Sequence, residues 1–272
     1  EDWANLSWKA ESALMTGGGI GVDYSVYRAS GTPISRTGGQ ASGPIPKMEM
    51  INSIGSKVMQ GGSRRSAIYA SLNWQHGDIH DFLKAKDWAS MPVGSTGKTL
   101  WDIKQEDFNF PAPLDMTNIS VNYDTEWLLN YYKTGDVGEV FMKNVRQAMQ
   151  SAEPGFSFNF FDKENETLRN ACTEVTSEDD SDVCNLGSVN MGRISDIAEM
   201  ADVVALGTKF LICGTLKAKL PYNKVYETRE KNRRLGLGLM GMHEWLIQRG
   251  SNYTVTPELH SWLSVYKGVS DK

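Results

Sequence analysis

The sequence predicts an α/β protein. Three observations carry that expectation. Short stretches alternate or run apolar, as strands do. Longer stretches place apolar residues at helical spacing. The two kinds recur in mixed order along the chain, as βα units require.

Trp3 to Met15 places Leu6, Ala10, Ala13 and Leu14 at helical spacing and meets a stop at Gly17-Gly18-Gly19. Ile20 to Tyr24 reads as a short strand. Residues 28–46 are rich in Gly, Ser, Thr and Pro and read as an ordered, irregular loop. Met48 to Met59 reads as a helix closed by Gly61-Gly62, Ala67 to Leu72 as a strand, and Asp78 to Lys86 as a helix with an Asp cap. Residues 90–115 read as a polar peripheral excursion. Asn118 to Tyr123 alternates like a strand, and Thr125–Lys133 and Gly138–Ser151 read as helices. Phe156 to Phe160 alternates aromatic and polar residues, again as a strand.

The chain has 272 residues, enough for one large domain or two small ones. Apolar residues make up 40% and charged residues 22%, which fits a globular protein with a sizeable core. The net charge of −5 is dispersed, so no basic face marks a nucleic-acid partner. A phosphorylated small molecule needs only a local cluster of donors. Three cysteines form too sparse a set for a disulfide framework and fit a reducing, cytoplasmic setting. No apolar run approaches the ~20 residues that span a bilayer, and no signal-peptide pattern opens the chain. Glu1-Asp2-Trp3 and Val269-Ser270-Asp271-Lys272 read as mid-domain text. The expectation is one partial domain over 1–272, cut at both ends.

Two motifs are set aside. Gly236-Leu237-Gly238-Leu239-Met240-Gly241 matches GxGxxG, but the charged run Arg229 to Arg234 before it reads as a helix, not a strand. The expected structure is a helix whose small residues permit close packing. Gly94 to Thr99 ends like a phosphate-binding loop, yet Pro92 stands where that motif needs its first glycine, so a solvated loop is expected.

The chemically informative stretch is Arg169-Asn170-Ala171-Cys172-Thr173-Glu174-Val175. If it is extended, Asn170, Cys172 and Glu174 point to one side. A thiol, a carboxylate and an amide would then offer a sulfur reactant, a base and an orienting group. A buried structural cysteine among polar loop residues fits the same spacing. Cys184 follows the acidic run Glu178 to Asp182, which reads as an exposed turn between neighbouring arms. Cys213 is expected to be a buried structural thiol. His76, His80, His243 and His260 form no metal-ligand pattern, and no metal site is expected.

Asn170-x-Cys172-x-Glu174, followed by Cys184-Asn185-Leu186-Gly187-Ser188-x-Asn190, resembles the catalytic core of ribonucleotide reductases. Further ordered segments are similar to that family: Gly17 to Gly21, Gly31-Thr32-Pro33-Ile34, Gln60-Gly61-Gly62-Ser63-Arg64-Arg65, Asn118 to Val121, and Arg234 to Gly241. The resemblance implies part of a ten-stranded α/β barrel around a central cysteine loop. It implies a thiyl radical at Cys172 that takes the ribose 3′-hydrogen, a base at Glu174 for the 3′-hydroxyl, and an Asn170 contact to the ribose. Cys184 resembles one of the two cysteines oxidised to a disulfide as the 2′-hydroxyl leaves. Thr32, Pro33 and Ile34 resemble the first effector-specificity loop, and Gln60 to Arg65 the second. The implied ligands are a ribonucleoside di- or triphosphate and a deoxynucleotide effector, with a thioredoxin-like reductant and a homodimer as further partners. The redox partner of Cys184, the substrate-phosphate loop and the reducing C-terminal cysteine pair are expected outside 1–272, so this piece alone should not turn over.

The compact segment between Cys172 and Cys184 resembles adenosylcobalamin-dependent members most. The alternative is a class I subunit that receives its radical from a di-iron partner. A non-catalytic nucleotide-binding remnant is a second alternative, against which the intact Asn170, Cys172, Glu174 and Cys184 set argues. A simple thiol redox protein would need a Cys-x-x-Cys pair, which the sequence lacks.

Overall fold

The computed structural model describes residues 2–35, 38–58 and 65–272. It divides into two compact units, Glu1–Asp180 and Ser181–Lys272.

In the first unit the order is α1 (Asp2–Met15), β1 (Ile20–Asp23), β2 (Pro33–Ile34), β3 (Gly39–Gln40), α2 (Ile45–Lys57), β4 (Ile68–Asn73), α3 (Ile79–Lys84), α4 (Leu100–Glu106), β5 (Thr117–Tyr123), α5 (Thr125–Thr134), α6 (Glu139–Ser151), β6 (Gly155–Phe158), β7 (Leu168–Arg169) and β8 (Thr176–Ser177). Strands β1, β4, β5 and β6 lie side by side in that order, all parallel. Helices separate them in sequence, so the mixed α/β expectation holds with a parallel sheet.

The register divides the sheet into two unlike faces. On one face Ala70, Leu72, Ile119, Val121 and Tyr123 join Tyr24, Met48, Phe82 and Trp127 in the main core. Apolar burial of this extent is the principal stabilising contribution. The other face carries Gly21 and Asp23 of β1, Tyr69 and Ser71 of β4, Asn118, Ser120 and Asn122 of β5, and Ser157 of β6. Tyr69, Ser71, Ser120, Asn122 and Ser157 are buried, and several of them bond to one another as burial demands. Tyr69 Oη lies 2.6 Å from Ser157 Oγ, and Asn122 Nδ2 donates to Ser71 Oγ at 3.0 Å.

Three local expectations need correction. Residues 90–115 contain helix α4, which a reciprocal capping box between Thr99 and Asp102 nucleates. Asp78 stands at the N-cap of α3 but makes no side-chain cap. Its carboxylate accepts from the Ser30 amide instead, at 2.9 and 3.1 Å. The loop of residues 28–46 contains the small antiparallel pair β2–β3, and α2 begins at Ile45, behind Pro44.

In the second unit the order is β9 (Cys184–Asn190), α7 (Ile197–Lys217), α8 (Asn223–Asn232), β10 (Arg234–Met240), α9 (Met242–Gln248) and α10 (Pro257–Ser270). β9 and β10 pair in parallel, with Cys184 opposite Arg234 and Gly236 opposite Leu186. The segment 234–240 is therefore a strand, not the expected helix. The charged helix α8 ends one residue earlier, where Arg233 turns left-handed at φ 45°. The leucines at every second position then face one way, and Leu237 and Leu239 pack with Val189, Val204 and Trp245. The first two glycines, Gly236 and Gly238, fall inside the strand and only Gly241 lies in the turn after it, so the geometry of a dinucleotide fingerprint, which needs its first glycine in that turn, is not formed.

Candidate functional site

The stretch that carries Cys172 is a hairpin tip. β7 and β8 pair antiparallel, Leu168 with Ser177 and Arg169 with Thr176. Between them the Thr173 amide donates to the Asn170 carbonyl at 3.0 Å and closes a tight turn. Thr173 adopts φ 69°, the left-handed region, which is uncommon for a threonine. The expectation of an extended segment with three side chains on one side is thus overturned. Antiparallel pairing on both flanks forces the chain to reverse, and a reversing chain cannot keep strand alternation.

The hairpin lies on the polar face of the sheet. A Cβ on Gly21 would overlap the carbonyl oxygen of Arg169, so the missing side chain is what lets the two backbones meet. A Cβ on Gly19 would stand 3.5 Å from the Ala171 methyl. Asn118 Nδ2 donates to the Ala171 carbonyl at 3.0 Å. From inside the hairpin, Arg169 donates through Nη1 to the Thr173 carbonyl at 3.3 Å and through Nη2 to Asn159 Oδ1 at 2.8 Å. Ala171 is buried as the anchor, while Cys172 beside it is exposed. The arrangement fixes the backbone and leaves the sulfur open.

Glu174 is exposed on the same turn, and Asn170 is half-buried. The Oδ1 of Asn170 accepts from the Val175 amide at 3.1 Å. This bond holds the turn and leaves the Nδ2 donors for a further group. Asn170, Cys172 and Glu174 are thus brought onto one turn. Cys184 belongs to the second unit, as the first residue of β9, and is half-buried with its Sγ 3.9 Å from the Asn185 carbonyl. Gly236 flanks it, and a Cβ there would stand 3.7 Å from Cys184 Sγ and 2.7 Å from Leu186 Cδ2.

The acidic run before Cys184 is not exposed throughout. Asp182 has a side chain only 6% exposed, and it accepts from Asn232 Nδ2 at 2.8 Å and Arg234 Nε at 2.7 Å. Cys213, expected to be buried, lies exposed on α7 because its position falls on the side of the helix away from Val204 and Leu211.

Thr32 to Ile34 runs into β2, where the Ala41 amide donates to the Thr32 carbonyl at 2.8 Å. Gln60, Gly61, Gly62, Ser63 and Arg64 lie outside the described residues. Arg65 is exposed, with its guanidinium 4.5 Å from the Phe108 ring centre. Among the described residues no group of His, Cys, Asp and Glu is placed to hold a metal ion. No helix among them is long and apolar enough to cross a membrane.

Sequence reasoning passed over the residues that hold the hairpin: Gly21, Asn118, Asn159 and Arg169. All four stood inside segments already singled out, but only the sheet register shows that Gly21 and Asn118 both face the hairpin.

Fold and site together define an α/β protein that presents a thiol on a hairpin across the polar face of a parallel sheet. Residues 6–260 match the family model of the ribonucleotide reductase barrel domain, and the chain belongs to that family. It is similar to the vitamin B12-dependent ribonucleoside-diphosphate reductase of Mycobacterium tuberculosis, at 28% identity over 92% of this chain and 37% of the relative. The enzyme of the same description from Thermoplasma acidophilum is 26% identical over 94% of this chain and 34% of the relative. A ribonucleoside-diphosphate reductase subunit alpha from Synechocystis is 25% identical over 87% and 36%. The chain spans about a third of the length of these relatives.

Proposed function

We propose that this chain is the cysteine-bearing part of an enzyme that reduces ribonucleotides to 2′-deoxyribonucleotides. The observation that carries the reading is the hairpin of Asn170 to Glu174, which is anchored at Ala171 and open at Cys172. A structural cysteine has no need of an exposed sulfur on a rigid turn.

In this reading Cys172 gives up its S–H hydrogen to a radical and becomes a thiyl. The thiyl takes the 3′-hydrogen of the ribose, while Glu174 accepts the 3′-hydroxyl proton. The 2′-hydroxyl leaves as water. Two thiols, one of them Cys184, supply two electrons and two hydrogens as they become a disulfide; one hydrogen completes the departing water and the other goes to the 2′-carbon. Glu174 then returns its proton to the 3′-oxygen as Cys172 returns a hydrogen to the 3′-carbon and recovers its thiyl. Asn170 orients the ribose through its Nδ2 donors. A fixed backbone under Cys172 matters here, because hydrogen transfer demands close and reproducible approach.

Adenosylcobalamin is the proposed radical source. When bound, it supplies a carbon-centred radical by homolysis, chemistry that protein side chains do not provide. This chain meets the one demand such a source makes of it, since Cys172 Sγ is open to direct approach. Likeness to vitamin B12-dependent relatives supports the same reading. The second reading is a class I subunit with a di-iron partner, favoured by the likeness to an alpha subunit. A nucleoside di- or triphosphate substrate, a deoxynucleotide effector at Thr32 to Ile34 and Gln60 to Arg65, a thioredoxin-like reductant and a homodimeric assembly complete the proposal.

The test is anaerobic turnover by the purified enzyme that contains this chain. Activity that needs added adenosylcobalamin and no second protein is the expected result. Activity that appears only with a metal-loaded partner subunit selects the class I reading. Reduction of no ribonucleotide under either condition overturns the proposal.

A further inference from the structure

The polar face of the sheet has a second feature, at the carboxyl ends of its strands. Asp23 and Asn73 are the last residues of β1 and β4, Asn122 is next to last in β5, and Asn159 follows β6. With Glu164 and Asp124 they line a cavity of about 170 Å³. The carboxyl edge of a parallel sheet is where α/β proteins hold ligands. The Cys172 turn meets Gly19 and Asn118, at the amino ends of the strands, so the two features are separate.

Two side chains in this cavity are only 3% exposed and incompletely bonded. Asn122 is fixed through Nδ2 on Ser71, and its Oδ1 has no partner among the described residues. Asn159 is fixed through Oδ1 on Arg169, and among the same residues its Nδ2 has none. An acceptor and a donor are thus held ready under the cavity floor. Buried polar atoms are normally paired, and exceptions call for a reason.

The charge of the lining narrows the ligand. Asp23, Asp124 and Glu164 are carboxylates, and among the described residues no Lys, Arg or His lines the cavity. Asp124 is committed to Asn73, Trp74 and Trp127. Asp23 binds Ser25 through Oδ1 alone, which leaves Oδ2 as an acceptor. A phosphate here would face like charge. A metal ion lacks a convergent ligand set among the described residues. Hydroxyl groups, which donate and accept, suit an amide donor, an amide acceptor and two carboxylates. The volume falls below the roughly 300 Å³ of a typical small-molecule pocket and suits one sugar ring.

We propose that this cavity binds a phosphate-free furanose, such as the ribose of a nucleoside, through Asp23, Asn122, Asn159 and Glu164. The proposal does not rest on the ribonucleotide-reduction reading. The cavity joins the Cys172 turn through Asn159, Arg169 and Thr173, so a sugar on Asn159 has a two-bond route to that turn.

Isothermal calorimetry on the 272-residue chain tests this with ribose, adenosine, adenosine monophosphate and magnesium chloride. The expected result is saturable binding of ribose and adenosine with Kd of roughly 1 mM or tighter, and the monophosphate at least about threefold weaker. Glu164→Gln with Asp23→Asn should weaken adenosine about tenfold with an unchanged melting temperature. If the double variant does not fold, Glu164→Gln alone decides, because that side chain is exposed. Four results overturn the proposal: no saturable sugar binding by folded protein, undiminished binding by the variant, monophosphate as tight as adenosine, or a response to magnesium alone.

Discussion

Gly21 of β1 lies directly against the carbonyl of Arg169, the residue that begins the Cys172 turn. One missing side chain therefore sets how closely the thiol-bearing hairpin can approach the sheet. Asn118 fixes the same hairpin from the neighbouring side, at the Ala171 carbonyl.

Gly21→Ala is expected to lift the hairpin from the sheet. Overpacking costs about 1–3 kcal/mol where side chains can yield, and here the neighbour is backbone. Urea unfolding should show a loss at or above that range. Hydrogen exchange at the Val175 amide, which is bonded to Asn170, should rise with it. An unaltered unfolding midpoint with unaltered exchange would show that the contact does not position the hairpin.

Asn118→Ala removes the donor to a buried carbonyl, a change that costs about 1–3 kcal/mol. The Thr173 amide closes the turn, so its exchange rate reports the effect. An increase of about tenfold corresponds to roughly 1.4 kcal/mol of local stability. Exchange that stays at the wild-type rate would assign the turn's rigidity elsewhere.

In the enzyme containing this chain, Cys172→Ser should abolish nucleotide reduction and leave effector binding near normal, because a serine O–H bond is too strong for the relay. Cys184→Ser should still allow 3′-hydrogen abstraction but leave the intermediate without its reductant, with free base released. Assays of product, released base and effector affinity separate the two. Multiple turnover by either variant at the wild-type rate would remove that residue from the mechanism.

Stability should fall in alkali. Burial pushes the phenols of Tyr24, Tyr69 and Tyr123 above their ordinary value. The unfolded chain loses these protons first as pH passes about 10, so stability declines from there upward. Burial lowers the ammonium groups of Lys47 and Lys104, with the opposite effect. Their cost is full at neutral pH and is relieved as pH climbs toward about 10.4. Beyond that point only the tyrosine effect continues. Tyr24 Oη has no hydrogen-bond partner among the described residues, so Tyr24→Phe should hold or raise neutral-pH stability by up to about 1 kcal/mol and flatten the alkaline decline. Denaturant unfolding across pH, with tyrosinate absorbance alongside, measures both effects. A steeper alkaline decline in the variant would contradict the assignment.

Much of this protein was legible before its coordinates. Apolar spacing located α1, α5, α6, β1, β4 and β5, because periodicity is a local property of the chain. The ordered matches around Asn170, Cys172, Glu174 and Cys184 pointed to the family that residues 6–260 then matched. The alternation of Gly and Leu over 234–240 also carried a strand signal, outweighed by the charged helix before it. What the linear chain could not show was the polar face of the sheet. Gly21, Tyr69, Asn118 and Ser157 share that face only through the parallel register, which brings together residues far apart in sequence. The turn at Thr173 was decided in the same way. Its residues suit an extended segment equally well by pattern, and it is the pairing of β7 with β8 and their docking on Gly21 and Asn118 that select the reversed backbone.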